Sequence, residues 1–250
     1  MNEITLFGFN NLTKSLSFSL YKLHYLAGQQ ERYNGFIKEH YNADKLDTLL
    51  TKICHAIGGN VLNVAKQNYQ PQGASVTLMI SEELPADPLP VTESLIAHLD
   101  KSHLCIHTYP EESPQDGIAI FRADIELSTC GIISPLKVLN FVIEAFDADV
   151  IDIDYRIRGM TRDRQGKKLF NIDEFNNLSD FISTTITNSY NISEHNFHEQ
   201  NLFHSKLCRK KVSLDDSTFE ADTSCLSDAE QRAIIAKLTK EIHQLCNKTN

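Results

Sequence analysis

The chain has 250 residues, with 24 Lys and Arg against 33 Asp and Glu and a formal net charge of −9 at neutral pH. An acidic chain lacks an excess cationic field to neutralise phosphates, so nucleic acid is not expected as the main partner. At 41% apolar and 23% charged residues, and with no run near the ~18 apolar residues of a membrane span, the composition is that of a globular protein with an ample core.

Ile4 and Leu6, then Leu16, Phe18 and Leu20, alternate with period two and predict two strands around Asn10-Asn11. A short helix fits between Gln29 and Tyr41. A better one runs from Asp44 to Ile57, with Leu46, Leu49, Leu50, Ile53 and Ile57 on one face and Gly58-Gly59 as its stop. Val61 to Ala65 and Val76 to Ile80 read as strands. The stretch from Ser81 to Pro90, with Pro85, Pro88 and Pro90, reads as an exposed connection. Leu104 to Tyr109 and Ile118 to Leu127 are further strands, parted by the turn formers of PEESPQDG. Ser134-Pro135 opens a helix carrying Leu136, Leu139, Val142, Ile143 and Phe146, and Val150 to Ile157 alternates again. Hairpins with helices bunched between them predict an α+β fold: a largely antiparallel sheet with helices packed on one face. Residues 1–157 form the expected core. Residues 158–250 read as a C-terminal helical extension packed on it, closed by a helix with a Ser227/Glu230 capping box and a stripe of Ile234, Ile235, Leu238, Ile242 and Leu245.

Several motifs invite chemistry. The cationic residues Arg156, Arg158, Arg162, Arg164, Lys167 and Lys168 fit an anion-binding turn, but a solvated turn is the commoner outcome for such a run. His98, His103 and His107 crowd Lys101-Ser102. On a strand, Cys105, His107 and Tyr109 would share one face and Leu104, Ile106 and Thr108 the other. Taken alone, His107 is more often a hydrogen-bonded structural group than a catalyst. Cys130 ends a strand just before a helix start, where a thiol can be activated; the competing role is that of a small buried residue. A Cys130–His107 hydrolase is therefore conceivable, with no orienting third group. HEQNL at 198–202 has Leu202 where a zincin needs its second histidine, and no glycine-rich phosphate loop occurs. The six cysteines form no CxxC half-site, so a structural zinc is not expected, and without a secretory leader they are expected as reduced thiols in the cytoplasm.

HLDKSHLCIHTYPE at 98–111 and FRADIELSTCGIISPLKVLN at 121–140, with GFNNLTKSLSF at 8–18, PQGAS at 71–75 and DYRIRGMTRD at 154–163, resemble the S-adenosylmethionine decarboxylase proenzymes of Gram-negative bacteria. The resemblance runs from about residue 4 to about 165 and thins beyond. It implies a self-processing lyase that cuts the Lys101–Ser102 bond through an ester and converts Ser102 into a pyruvoyl group. That group forms a Schiff base with S-adenosylmethionine and acts as electron sink, and the product is the aminopropyl donor for spermidine synthesis.

By the same resemblance His107 is the base of processing, Cys130 the proton donor of turnover and Ser75 a processing aid. Glu111 holds the ribose hydroxyls, and Tyr69 stacks on adenine. The resemblance further implies Mg²⁺ as an activator, with no metal ligands identifiable in the sequence, and a homo-oligomer of cleaved two-chain protomers. Two other readings compete. A pyruvoyl decarboxylase of a basic amino acid would not use Glu111 and Tyr69, and an uncleaved regulatory paralogue would not use Ser102, His107 and Cys130.

Overall fold

A computed structural model describes residues 11–82, 102–112, 114, 117–130, 133–163, 165–170, 175–218 and 226–248. The expected strand at Ile4–Leu6, residues 83–90 of the proline-rich connection, and His98, Lys101, Arg164 and Cys225 lie outside them.

The chain begins with β1 (Thr13–Tyr25), followed by α1 (Gln30–His40), α2 (Ala43–Ile57), β2 (Gly59–Asn68) and β3 (Ala74–Glu82). Next come β4 (Ser102–Pro110), β5 (Ile118–Cys130), a 3₁₀ turn at Pro135–Val138, α3 (Leu139–Phe146) and β6 (Val150–Arg158). A two-stranded hairpin, β7 (Thr161–Arg162) and β8 (Lys168–Leu169), leads to α4 (Thr184–Ser189), β9 (Tyr190–Phe197) and β10 (Leu202–Arg209). The short helix α5 (Leu214–Ser217) and the long α6 (Asp228–Asn247) close the chain.

Eight strands form one sheet in the order β2-β3-β4-β5-β1-β6-β10-β9, and every neighbouring pair is antiparallel. This is the α+β architecture that the alternation predicts. β1 is central because it alternates from Thr13 to Lys22, with Leu16, Phe18 and Leu20 buried on one face, and it pairs with β5 on one side and β6 on the other. Helix α2 starts where Asn42 accepts from the Asp44 and Lys45 N–H groups. It buries Leu46, Leu50, Ile53 and Ile57, with Leu49 half-buried beside them, and stops at left-handed Gly58. α3 buries the predicted Leu139, Val142, Ile143 and Phe146, but its first turn, Pro135–Val138, is 3₁₀.

Helices α1 to α4 pack on this core face. Among the described residues the opposite face is covered at one end, where Ile234, Leu238 and Ile242 of α6 sit on Leu23, Ile118 and Val150. Full burial of each such aliphatic is worth roughly 1.5–3 kcal/mol. The capping box is present, with the Ser227 and Glu230 side chains each reaching the other's backbone N–H. The remainder of this second face carries Ser15, Ser17, Glu126, Ser128 and His107, half-buried or exposed among the described residues.

Two features depart from the sequence reading. Residues after 158 are more than a helical extension, because β9 and β10 extend the same sheet through β6. β9 is an edge strand with exposed Asn191, Ser193, His195 and Phe197, so its hydrophobic alternation is too weak to recognise. Second, Cys208 and Cys246 are joined as a disulfide, where reduced thiols were expected. Cys208 lies on the face that α6 crosses, which brings the two Cα atoms to 6.3 Å, while Lys206 donates to the Cys246 carbonyl at 3.0 Å. In the cationic turn, Arg162 donates to the Gly166 carbonyl, and the Asp163 carboxylate accepts from the Gln165 and Lys167 amides.

Candidate active site

Ser102 is the first residue of β4. Only 2% of it is exposed, and its hydroxyl accepts a hydrogen bond from the Cys130 amide at 3.1 Å. Cys130 ends β5 opposite Thr13 of β1. Along β4 burial alternates, so Ser102, Leu104, Ile106 and Thr108 face the core while His103, Cys105, His107 and Tyr109 face the open side. Along β5 the same alternation sets Thr129 on the core face and half-buried Cys130 on the open one. Burial and the neighbouring Glu126 carboxylate push the Cys105 thiol pKa up, which suits an inert residue.

A second group gathers at the far end of β4. His107 lies directly opposite Ser75 of β3 and Asp124 of β5. Tyr69 donates its hydroxyl to Ser75 Oγ at 2.7 Å. The turn that carries Tyr69 closes at Gly73, whose φ is +104°. A Cβ there would lie 3.0 Å from the Thr108 carbonyl oxygen and 3.5 Å from the Tyr69 ring, so glycine lets this turn lie flat on β4. Thr108 fixes the approach, with Oγ1 accepting from the Ala74 amide at 2.8 Å. Glu111, just past β4, accepts from the Ile120 amide through Oε2 at 3.0 Å and donates its own N–H to the Ile120 carbonyl. One carboxylate oxygen is thus held in place, which orients the other.

Ser102 and Cys130 are therefore brought together, and so are Tyr69, Ser75, His107 and Glu111 around the end of β4. The two groups do not meet within one chain. Ser102 pairs with Ile80 and His107 with Ser75, five residues along. At ~3.3 Å per residue that is about 16 Å, and an odd separation also puts the two side chains on opposite faces. Within one chain Cys130 and His107 are apart on the same ground: Asp124 faces His107, and Cys130 lies six residues further along β5, about 20 Å away.

Sequence reasoning passed over the surroundings of His107. Arg122 grips Asp124 through Nε at 2.9 and 3.1 Å and through Nη2, and its guanidinium lies 4.8 Å from the centre of the Tyr109 ring. The alternation in FRAD, which puts Arg122 and Asp124 on one face, is the signal that would have found them. Among the described residues no group of three His, Cys, Asp or Glu side chains is placed to hold a metal ion, so no step is assigned to Mg²⁺.

The model of the S-adenosylmethionine decarboxylase family matches residues 37–159, which include Tyr69, Ser75, Ser102, His107, Glu111 and Cys130. A Photorhabdus laumondii protein is 45% identical, with 98% of this chain and 97% of that one aligned; one from Pseudoalteromonas translucida is 47% identical over 98% and 94%. An Escherichia coli protein is 45% identical over 98% and 97%, and all three are named S-adenosylmethionine decarboxylase proenzyme. A solved adenosylmethionine decarboxylase from Aquifex aeolicus is 16% identical, with a TM-score of 0.38 over 67% of this chain and 98% of that one, a likeness too slight to build on. Identity this high from end to end leaves one assignment, and the chain belongs to the S-adenosylmethionine decarboxylase family.

Proposed function

We propose that the chain is a proenzyme that cuts itself between Lys101 and Ser102 and then, as a carbon–carbon lyase, decarboxylates S-adenosylmethionine in the cytoplasm to supply the aminopropyl donor of spermidine synthesis. The observation that carries this reading is the Ser102 hydroxyl, buried at a strand start and held on the Cys130 amide at 3.1 Å. A serine hydroxyl poised there can attack the preceding carbonyl, and Cys130 stands beside the same residue as an acid for the later step. The pyruvoyl group made from Ser102 would supply the carbonyl that captures the substrate amine and the sink for the electrons that carbon dioxide leaves behind.

The separation of Ser102 from His107 supports a site completed by a second copy. No rotamer spans about 16 Å and two faces of a sheet, so the base that removes the Cα proton of residue 102 comes from a second copy. Because the Ser102 side chain points to the core, tetrahedral geometry leans its Cα–H toward the open face, the side from which another molecule can approach. Met79 and Tyr109, 46% and 49% exposed on that face, offer apolar surface for such a contact. Each complete site then combines Ser102 and Cys130 of one chain with Ser75, His107, Glu111 and Tyr69 of another. Glu111 presents its remaining oxygen to ribose hydroxyls, and Tyr69 its ring to adenine.

Denaturing mass spectrometry of the purified protein tests this reading. Two chains are expected, 1–101 and 102–250, the longer one blocked at its N-terminus, and Ser102→Ala should yield a single full-length chain. A wild-type protein that stays whole, or a Ser102→Ala protein that is still cut, would overturn it.

A further inference from the structure

Helix α6 is thinly anchored for its length. Of its twenty residues only Ile234, Leu238 and Ile242 are buried. They pack in one cluster with Leu23, Ile118 and Val150 of the sheet, and half-buried Tyr21, Ile120 and Cys208 join it from the strands, as Leu245 and Cys246 do from the helix. The last turn is fastened differently. Cys246 is bonded to Cys208 of β10, and its carbonyl accepts from Lys206 at 3.0 Å. Both cysteines are half-buried and exposed Asn247 follows Cys246, so the bond is not sealed inside the core. A cross-link that closes a 38-residue separation removes much of the freedom a detached helix would gain, and so favours the docked one.

What the helix covers leads to the candidate substrate site. Cys208, Val150, Tyr21 and Arg122 form one row across β10, β6, β1 and β5, and Leu23 and Ile120 form the next row of the same face. Ile120 turns its side chain to the α6 cluster while its backbone holds Glu111. Its amide donates to Glu111 Oε2 at 3.0 Å, and its carbonyl accepts from the Glu111 N–H at 3.0 Å. The carboxylate is thus fixed to the strand segment on which α6 rests. The cleavage machinery lies elsewhere: Cys130, beside Ser102, ends β5 ten residues beyond Ile120, about 33 Å away.

We propose that the Cys208–Cys246 bond is a redox latch on substrate binding. Oxidised, it clamps α6 over Ile120 and keeps Glu111 in place; reduced, it lets the end of the helix lift and loosens that carboxylate. The inference rests on the reading of Glu111 as the group that holds the ribose hydroxyls, and adds a control to the same site. The reductant is a dithiol, either a small molecule or the paired cysteines of a reducing protein. One of its thiolates attacks a sulfur of the bond and displaces the other as a thiolate, giving a mixed disulfide. The second thiol of the reductant then resolves that intermediate. Cys208 and Cys246 gain two electrons and two protons, and the dithiol leaves as a disulfide. A disulfide of the same class runs the exchange backward. Substrate affinity responds to the latch, whereas the cut at Ser102 and the proton donor Cys130 do not.

The test compares the purified protein before and after dithiothreitol, with a Cys208→Ala, Cys246→Ala double variant as a permanently open form. Peptide mapping without reductant should find the two cysteines joined. On reduction, hydrogen exchange over residues 228–247 and around Ile120 should quicken about tenfold or more, because the open helix end detaches more often. The KM for S-adenosylmethionine should rise about tenfold, the scale of one hydrogen bond to a charged group, with kcat within about twofold. The double variant should match the reduced protein, ignore the reductant and still be cut before Ser102. The inference is overturned if the two cysteines stay free thiols in an oxidising dithiol–disulfide buffer, if reduction leaves the exchange of α6 and Ile120 unchanged, or if the helix loosens while KM stays put. Loss of cooperative unfolding in the double variant would overturn it too, because the bond would then hold the whole fold and not the helix. A protein that is cut yet turns over no S-adenosylmethionine in either state would count instead against the decarboxylase reading, and the exchange rates alone would decide whether the bond latches α6.

Discussion

Two inactive chains should repair one another. Ser102→Ala removes the nucleophile but leaves His107, Ser75 and Tyr69, whereas His107→Ala removes the base but leaves Ser102 and Cys130. Within one molecule the two positions are about 16 Å apart on opposite faces of β4, while proton transfer needs contact at about 3 Å. Neither variant alone should mature. When the two are co-expressed in equal amounts and pair at random, roughly half of the His107→Ala chains face a Ser102→Ala partner, so about half of them should be cut. Mass spectrometry reads this directly, because the variants differ in mass and only the His107→Ala chain can yield fragments. If that chain stays whole in the mixture while both variants unfold cooperatively, or if it cuts itself normally when alone, the composite site is wrong.

Two further outcomes follow from individual contacts. Cys130→Ala should still be cut, because Ser102 accepts from the backbone amide of residue 130, which alanine keeps, but should lose most decarboxylation; wild-type turnover in this variant would remove the thiol from the mechanism. Burial and the charge of Lys22 push the His24 pKa from 6.5 down to about 3. The unfolded chain therefore takes up a proton as pH falls below about 6.5 while the fold does not, so the stability is complete above that pH and is lost progressively toward pH 3. His24→Phe, placed among the rings of Tyr33 and Phe36, should flatten this arm of a urea-midpoint profile, and an unchanged slope would show that other groups dominate it.

Much of the sheet was legible because its strands alternate. The opposition of Cys105, His107 and Tyr109 to Leu104, Ile106 and Thr108 could be read from spacing alone. The parity that divides the site was present as well, since five residues on a strand always reverse the face, but the reading placed Ser102 and His107 by chemistry and did not follow the strand. Lys14 was invisible for a different reason. Lysine belongs at the surface by composition, and only the pairing of β1 with β5 reveals that this one lies inside. The bond between Cys208 and Cys246 depends on α6 crossing back over β10, a tertiary contact that a 38-residue separation does not announce.

The strand order has a consequence for what cleavage leaves behind. A cut after residue 101 assigns β1, β2 and β3 to the short product and β4 through β10 to the long one, yet β1 is inserted between β5 and β6, and β3 lies against β4. The products are interlaced, so neither can depart without tearing open the middle of the sheet. Under the proposed cut, one polymer with its strands linked in order would become two that must find each other again after any unfolding. The uncut chain can refold as a unimolecular event, whereas the mature pair depends on concentration. The working enzyme would therefore persist through its barrier to unfolding rather than through an equilibrium it can revisit.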